Sequence, residues 1–302
     1  MADNTAPTPR ISILLVTANR GPWLQVLLDG IQAQSDGRWE LIGVDCGSDD
    51  DTQAILEGAA EKDARIRVHA IEEIDRAAGR RQALQRARGE FVMLADPNSH
   101  WEPTFLGSLL ESVDAAPEKG TGVLFSGAQV VSEEGGIIET LPRETGQKTL
   151  TRALFVGGTL PLSTLLIRRK TLRSLEKTGN RFWLANDLGL LLWLAHHTRF
   201  QEVETAPPVT IQPIEGCLPS ALEIASEERG EALTKALETF AGIVPARFAR
   251  RCLSEFHRQR SRVLSAGGDP GEAFAAALRA LMYRPLWPAA WKQLLRIAVR
   301  GQ

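Results

Sequence analysis

Short apolar segments alternate with segments of helical periodicity through the first hundred residues. Four of the apolar segments have the length and β-prone composition of buried strands: residues 11–16, 39–44, 66–71 and 91–95. Helical patterns lie between them, and the first begins at Pro22 and carries one apolar stripe. Strands and helices that alternate at this spacing form βαβ units, so the sequence predicts an α/β fold with a mostly parallel sheet flanked by helices.

Polar residues follow three of these predicted strands, at residues 16–20, 45–50 and 96–100. In open parallel sheets, ligands bind in the crevice beyond the carboxyl ends of the strands. The three polar segments therefore predict a ligand site on one rim of the sheet.

The rest of the chain mixes strands with helices and then becomes helical. Gly135-Gly136 predicts a hairpin turn, and Asn186-Asp187 interrupts an apolar helix. Helical patterns with breaks at Pro and Gly follow Pro219. Further strands are predicted at 122–131, 163–167, 200–203 and 209–211. We expect a flexible tail over residues 1–10, the α/β domain over 11–218 and a helical C-terminal region over 219–302.

Composition and charge are those of an ordinary soluble globular protein. The 302 residues carry a net charge of −2, which does not indicate nucleic acid as a partner, so none is expected. Three cysteines are too few and too scattered for a disulfide framework or a zinc site. Because the first residues lack the features of a signal peptide and no apolar run reaches about 18 residues, the expected location is the cytoplasm.

The C-terminal end is basic, with eleven Lys and Arg against three acidic residues from Arg247 onward. The last helical segment combines Trp287 and Trp291 with Lys292 and Arg296. Such an end is either a solvated surface, a helix that packs its Trp side onto the α/β domain, or a surface that contacts an acidic partner or the anionic lipid at the inner face of a membrane.

Several motifs occur in an order that resembles a known family. Thr17-Ala18-Asn19-Arg20 follows the first strand, Asp45-Cys46-Gly47-Ser48 the second, and Ala87-Arg88-Gly89-Glu90 precedes the fourth. Asp96 with the downstream Trp101-Glu102-Pro103, and Asn186-Asp187, complete the series. In this order and spacing the segment over about 11–215 resembles glycosyltransferase family 2, whose members are inverting enzymes with the GT-A fold.

The resemblance implies transfer of a sugar from a nucleoside diphosphate to an acceptor hydroxyl, with inversion at the anomeric carbon. The implied donor is a nucleoside-diphosphate sugar, most often a UDP-sugar, and the acceptor is a glycan, a lipid-linked saccharide or a protein. Assembly of a bacterial surface glycan or polysaccharide is the implied setting.

The resemblance also implies roles for individual residues. Asp187 matches the family's general base, and partial burial is expected to raise its pKa; alternatively it is a first-turn acid that stabilises its helix. Arg80 and Arg81 are expected to contact the diphosphate, unless they belong to a solvated basic face with Arg76, Arg86 and Arg88. The expected donor-binding residues are Val16, Thr17, Asn19, Asp45, Cys46, Arg80, Arg81 and Asp96.

The sequence departs from the family pattern on the donor side. Asn98 stands where the second Asp of the metal-binding Asp-x-Asp motif is usual, so a Mn²⁺ or Mg²⁺ site at Asp96 and Asn98 is expected to be weak or absent. Cys46 and Ala18 also replace the usual residues, and the His expected after the last strand is missing from 211–217. Three hypotheses follow: an active glycosyltransferase, a catalytically degenerate domain that acts as a binding or scaffolding subunit, or another nucleotide-binding enzyme such as a nucleotidyltransferase.

Overall fold

A computed structural model describes residues 8–72, 75–115, 118–132, 134–141, 147–158, 160–212 and 226–300, except for the side chains of 147–149 and 299–300. The chain divides into two compact units. The first comprises Met1–Gln147 and Leu160–Ile214, and the second comprises Lys148–Thr159 and Glu215–Gln302.

The first unit is built on a seven-stranded sheet that confirms the predicted α/β fold. The order of its strands is β10-β6-β9-β4-β1-β2-β3, and β4, β1, β2 and β3 are parallel neighbours. Strand β9 lies antiparallel between β6 and β4, whereas β10 is parallel to β6. The strands are β1 (Ile11–Thr17), β2 (Trp39–Cys46), β3 (Ile66–Ile71), β4 (Phe91–Ala95), β6 (Thr121–Phe125), β9 (Leu165–Arg168) and β10 (Arg199–Glu202).

Helices fill the crossovers between the parallel strands, as the alternating pattern predicts. Helix α1 has Pro22 in its first turn and buries Leu24, Leu28 and Ile31 along one stripe, which follows from their helical spacing. Strand β2 is buried along its whole length, as expected when helices cover both faces of a sheet. The helices of this unit are α1 (Gly21–Gln32), α2 (Thr52–Lys62), α3 (Arg76–Arg86), α4 (Phe105–Asp114), α6 (Arg169–Lys177), α7 (Phe182–Ala185) and α8 (Asp187–His197).

A smaller sheet of four strands, in the order β5-β11-β7-β8, accompanies the large one. Its hairpin joins β7 to β8 through Gly135, whose φ of 83° favours a residue without a Cβ and confirms the predicted turn. The prediction of one strand over 122–131 is wrong, because β6 and β7 belong to different sheets. The strands are β5 (Ser99–His100), β7 (Ala128–Val131), β8 (Ile137–Leu141) and β11 (Val209–Ile211).

The second unit is helical in the residues described. Ser226 and Asp269 cap two of its helices by accepting hydrogen bonds from backbone N–H groups in the first turn. Helix α5 groups with these C-terminal helices, although the sequence assigned its residues to the α/β domain. The predicted boundary near residue 218 lies outside the described residues and stays a prediction. The helices are α5 (Gln147–Val156), α9 (Glu227–Thr239), α10 (Ala246–Ala266), α11 (Pro270–Tyr283) and α12 (Pro288–Arg300).

Two expectations about the ends of the chain are affected by the structure. Of the predicted tail, only residues 8–10 are described, and Arg10 there forms an ion pair of 2.7 Å with Asp114. Within the described ranges, no helix combines the length and the hydropathy needed to cross a bilayer.

Candidate functional site

The carboxyl ends of β1, β2 and β4 lie side by side, so the polar loops that follow them share one rim. Asn19 adopts a left-handed conformation with a φ of 53°, which Asn tolerates better than most residues. Its backbone N–H donates to Ser48 Oγ at 2.9 Å, and its Oδ1 accepts from Asp49 N at 2.9 Å. Asn19, predicted to bind the donor, thus joins the first two loops of the rim.

Asp45 is buried at the end of β2, opposite Thr17 in the register of the sheet. Its carboxylate accepts a hydrogen bond from the N–H of Ser48 at 3.2 Å and another from the Ser48 hydroxyl. Both Asp45 and Thr17 were predicted to hold the donor. In the structure the Asp45 carboxylate closes the turn of its own loop, and any contact with a donor stays a prediction.

Cys46 and Val16 face helix α3 at the point where it comes closest to the sheet. A Cβ at Gly79 would lie 2.5 Å from Val16 Cγ1 and 2.9 Å from Cys46 Sγ, so a larger residue there would have to displace these side chains. Desolvation, reinforced by the charges of Asp45 and Asp75, raises the pKa of the Cys46 thiol to about 11. Cys46 is therefore a neutral, buried thiol in a helix–sheet contact, and a role in binding a base stays a prediction.

Asp187 lies in the first turn of α8, where the break inside the predicted apolar helix places it. Asn186 is the N-cap, and its Oδ1 accepts from Gly189 N at 2.7 Å. The Asp187 carboxylate accepts a hydrogen bond from Arg80 Nη2 at 2.5 Å, and Arg76 Nη1 lies 3.6 Å from the same oxygen. The side chain of Asp187 remains about half exposed, so it is open to a ligand as well as paired with α3.

The expectation that burial raises the pKa of Asp187 is wrong. Desolvation does raise it, but the positive charges of Arg80 and Arg76 and the hydrogen bond from Arg80 outweigh desolvation, so the pKa of Asp187 is lowered. The carboxylate is therefore ionised at neutral pH. Its placement on the rim is consistent with the sequence prediction, whereas its protonation behaviour is set by two arginines more than 100 residues away in sequence.

Asp96 follows β4 and faces the same rim. Its Oδ1 accepts from Asn98 N at 3.2 Å, which holds Asp96, Pro97 and Asn98 in a tight turn. Desolvation, and then the charge of Asp187, raise the pKa of Asp96, against the lowering effect of the Asn98 N–H and of nearby arginines. Asp96 is exposed to solvent at the carboxyl ends of the strands, where ligands bind in open parallel sheets.

The arginines near Asp187 differ from the predicted pair. Arg80 is 11% exposed, and its guanidinium donates to the Leu184 carbonyl at 2.9 Å as well as to Asp187. Arg76, one turn earlier on the same face of α3, is 50% exposed. Arg81 is exposed on the next face of the helix. The sequence therefore missed Arg76 as a site residue, although the i, i+4 spacing of Arg76 and Arg80 was visible.

The interpretation of these arginines as a solvated basic face is also wrong in part. Arg76 and Arg80 pair with Asp187, and Arg88 pairs with the buried Glu40 at 2.8 Å. The N-terminus of α3 is itself occupied, because the Asp75 side chain accepts from Ala78 N at 2.9 Å and pairs with Arg181.

The rim does not offer the ligands that a resident divalent cation needs. No group of three or more His, Cys, Asp or Glu side chains able to hold a metal occurs in the described part of the chain. At the predicted site Asp96 supplies one carboxylate and Asn98 a neutral amide, and the positive charges of Arg76 and Arg20 act on Asp96. This donor set of one carboxylate and one neutral amide does not fit Mn²⁺ or Mg²⁺. The segment 211–217, from which the expected His is missing, lies mostly outside the described residues, since only 211 and 212 are described.

A second polar cluster lies at the opposite, amino end of the strands. Glu40 is 1% exposed and accepts four hydrogen bonds, from Ser12 Oγ at 2.6 Å, Arg88 N at 2.7 Å, Arg88 Nε at 2.8 Å and Arg67 Nη2 at 2.7 Å. Arg88 thus binds Glu40 of β2, and Gly89 N donates to Ser12 Oγ of β1 at 2.9 Å, so this part of the family motif joins β1 to β2 away from the rim. Arg67 of β3 joins the same cluster through Glu40. Sequence reasoning missed Glu40 because a lone acid at the start of a strand has no distinctive pattern.

Comparison with known proteins is consistent with this arrangement. A B. subtilis (strain 168) protein named "Putative teichuronic acid biosynthesis glycosyltransferase TuaG" is 30% identical over 128 residues, which are 42% of this chain and 50% of that protein. The chain thus spans about half the length of this relative.

Solved structures share the fold at low sequence identity. The structure of S. aureus TarS 1-349 has a TM-score of 0.64 and 17% identity, covering 97% of this chain and 92% of that one. The mannosyltransferase PcManGT from Pyrobaculum calidifontis, solved with GDP-Man and Mn²⁺, has a TM-score of 0.55 and 18% identity, covering 98% and 81%. The profile of the family described as "Glycosyl transferase family 2" matches residues 12–170, just over half of the chain. This chain therefore belongs to glycosyl transferase family 2.

Proposed function

We propose that this protein transfers a sugar from a nucleoside-diphosphate donor to an acceptor hydroxyl, with inversion at the anomeric carbon. The observation that carries the proposal is the convergence of Asp187 and Asp96 with Arg76 and Arg80 at the carboxyl ends of parallel strands. Inverting transfer needs a carboxylate to accept the proton of the acceptor hydroxyl and cations to stabilise the departing diphosphate. The rim supplies both kinds of group.

In this proposal Asp187 is the general base and Arg80 holds it in place. The bond from Arg80 and its second bond to the Leu184 carbonyl fix the carboxylate relative to the sheet. A lowered pKa makes Asp187 a weaker base, because proton transfer is most efficient when the pKa lies near the working pH. A change on donor binding that removes one neighbouring cation would therefore favour the reaction.

Arg76 is the arginine best suited to make that change. Its contact with Asp187 is long, at 3.6 Å, and its side chain is half exposed, whereas Arg80 is close and mostly buried. A diphosphate bound at this rim would compete for the Arg76 guanidinium, which offers forked donors to phosphate oxygens. Transfer of Arg76 to the diphosphate would raise the pKa of Asp187 and so couple donor binding to activation of the base.

The donor class is proposed from the neighbours and the setting from the named relative. TarS 1-349 has also been solved with UDP-GlcNAc, at a TM-score of 0.60, so a UDP-sugar is our first choice, and a GDP-sugar the second. The likeness to a protein named for teichuronic acid biosynthesis supports assembly of a bacterial surface glycan. The acceptor is proposed as a glycan, a lipid-linked saccharide or a protein.

A second candidate, a scaffolding domain without catalysis, is favoured by one specific observation. Several donor-side groups are already satisfied within the protein: the Asp45 carboxylate by Ser48, and Cys46 by packing near Gly79. Such groups would have to break internal contacts before they could bind a nucleotide.

Thermal unfolding with UDP, GDP, UDP-GlcNAc and GDP-mannose, with and without Mn²⁺, separates the two candidates. A ligand at a hundred times its Kd stabilises the folded protein by about 2.7 kcal/mol. The glycosyltransferase proposal predicts a rise in Tm with a nucleotide, and the absence of any shift would favour the scaffold.

The roles of the arginines are tested by nucleotide affinity in Arg76→Gln and Arg81→Gln, two exposed positions on one helix. Loss of a charge-assisted hydrogen bond predicts at least about a tenfold weaker Kd for Arg76→Gln. A larger loss for Arg81→Gln would restore the prediction made from the sequence and overturn the proposed role of Arg76. Arg80→Gln is less informative, because Arg80 also supports Asp187.

A further inference from the structure

The helical unit exposes an unusual amount of apolar surface near the end of the chain. Ten large apolar side chains are exposed among the described residues, and six of them lie within residues 274–295. Exposed apolar residues scattered singly are normal, but a group of this kind indicates an interaction surface. The six are Phe274, Leu278, Met282, Leu286, Trp291 and Leu295.

Three of these side chains surround the turn between α11 and α12, and we call them the apolar tip: Met282, Leu286 and Trp291. Met282 lies in the last turn of α11 and is 79% exposed, and Leu286 lies in the connection and is 93% exposed. Trp291 is held against the connection, because its Nε1 donates to the Pro285 carbonyl at 2.7 Å. The tip therefore combines two highly exposed apolar side chains with a Trp that is fixed by a hydrogen bond.

The apolar tip lies outside the core that the two helices share. Their shared core is formed by other residues, chiefly alanines of α11 with Leu294 and Ile297 of α12. On the last helix Leu294 is buried, whereas Trp291 and Leu295 are exposed. The exposed residues are thus available to a partner.

The charge around the apolar tip identifies the kind of partner. From residue 273 to the end there are five basic residues and no acidic ones. Arg279, Lys292 and Arg296 are exposed, and the Arg284 guanidinium lies 4.6 Å from the centre of the Trp287 ring. A symmetric dimer through this surface would bring like charges together, which is unfavourable. An anionic lipid surface accepts both the cations and the apolar side chains.

We propose that the apolar tip inserts into the interface of an anionic lipid bilayer, with the surrounding cations on the lipid phosphates. The apolar tip and its neighbouring cations would then form the peripheral membrane contact that is one of the alternatives expected for the basic C-terminal end. It is independent of the proposed sugar transfer, because vesicle binding requires neither donor nor acceptor. A membrane contact here would hold the protein at the surface on which lipid-linked or surface-bound molecules are found.

The test is flotation of the full chain with vesicles of phosphatidylcholine alone and of phosphatidylcholine with phosphatidylglycerol. We expect binding to the anionic vesicles only. Leu286→Asp should weaken binding about tenfold, since one buried leucine is lost, and Ile138→Asp, at an exposed position of β8, is the matched control and should bind as the parent does. Lys292→Gln and Arg296→Gln should each weaken binding about fivefold.

Three results would overturn the proposal. They are equal binding to neutral and anionic vesicles, no binding to either, and unchanged binding by both Leu286→Asp and the two cation variants. Sedimentation of the parent without lipid provides a further check, because a dimer that Leu286→Asp dissociates would assign the apolar tip to a second copy of the chain.

Discussion

Replacement of Glu40 by Gln tests whether the buried carboxylate at the amino end of the strands supports the fold. The carbonyl oxygen of Gln can keep the two bonds to Ser12 Oγ and Arg88 N, but its amide group then faces the guanidinium groups of Arg67 and Arg88. Two charge-assisted hydrogen bonds are lost, at about 1.5–3 kcal/mol each. Because water reaches the exposed Arg88 side chain and partly replaces its bond, we expect the free energy of unfolding to fall by about 3 kcal/mol.

The pH dependence of this effect follows from the pKa of Glu40. Desolvation raises that pKa, but the hydrogen bonds from Ser12 and Arg88 and the charge of Arg67 outweigh it, so the pKa is lowered in the folded protein. A lowered pKa stabilises the folded state above the ordinary pKa of Glu, and this contribution is lost as the pH falls through the folded value. The difference between parent and variant should therefore be full at neutral pH and shrink below about pH 4.

Urea denaturation of the parent and Glu40→Gln at neutral and acidic pH measures both effects. Glu90→Gln is the matched control, because Glu90 is 54% exposed and its single ion pair, with Arg168, should contribute at most about 1 kcal/mol. If Glu40→Gln is no more destabilised than Glu90→Gln, Glu40 does not have the proposed role in the fold. A difference from the parent that persists unchanged in acid would contradict the same role.

Two further predictions concern the contact of α3 with the sheet. Gly79→Ala should lower the free energy of unfolding by about 1–3 kcal/mol, because its Cβ would overlap Val16 and Cys46; thermal denaturation measures this, and a neutral effect would show that the contact is looser than described. The Cys46 thiol, with a pKa of about 11 and little exposure, should react with iodoacetamide at neutral pH only after unfolding; rapid labelling of Cys46 in the native protein, located by peptide mass, would contradict its burial.

The sequence predicted the central sheet because buried parallel strands and amphipathic helices have different periods. Four strands and the helices between them were found within two or three residues. The antiparallel insertion of β9 between β6 and β4 was not predicted, because pairing between distant strands leaves no local signal. The split of residues 122–131 between two sheets was missed for the same reason.

The sequence predicted which edge of the sheet carries the candidate site, but not which side chains pair with one another there. Asp187 and Asp96 lie on the predicted rim, yet the pairing of Asp187 with Arg76 and Arg80 spans more than 100 residues of sequence. Since that pairing decides the direction of the Asp187 pKa, the sequence led to the wrong direction. Burial of Asp45 and Cys46 likewise depends on how tightly α3 and the loops pack, which composition does not report.

The most direct test of the proposed function is donor binding and turnover by Asp187→Asn. The Asn oxygen can still accept the bond from the mostly buried Arg80, so the fold and the donor site should be kept. We predict a Kd for the nucleotide sugar within about threefold of the parent and a turnover at least about a hundredfold lower, the range expected for loss of a general base. Turnover equal to that of the parent would contradict the assignment of Asp187 as the base.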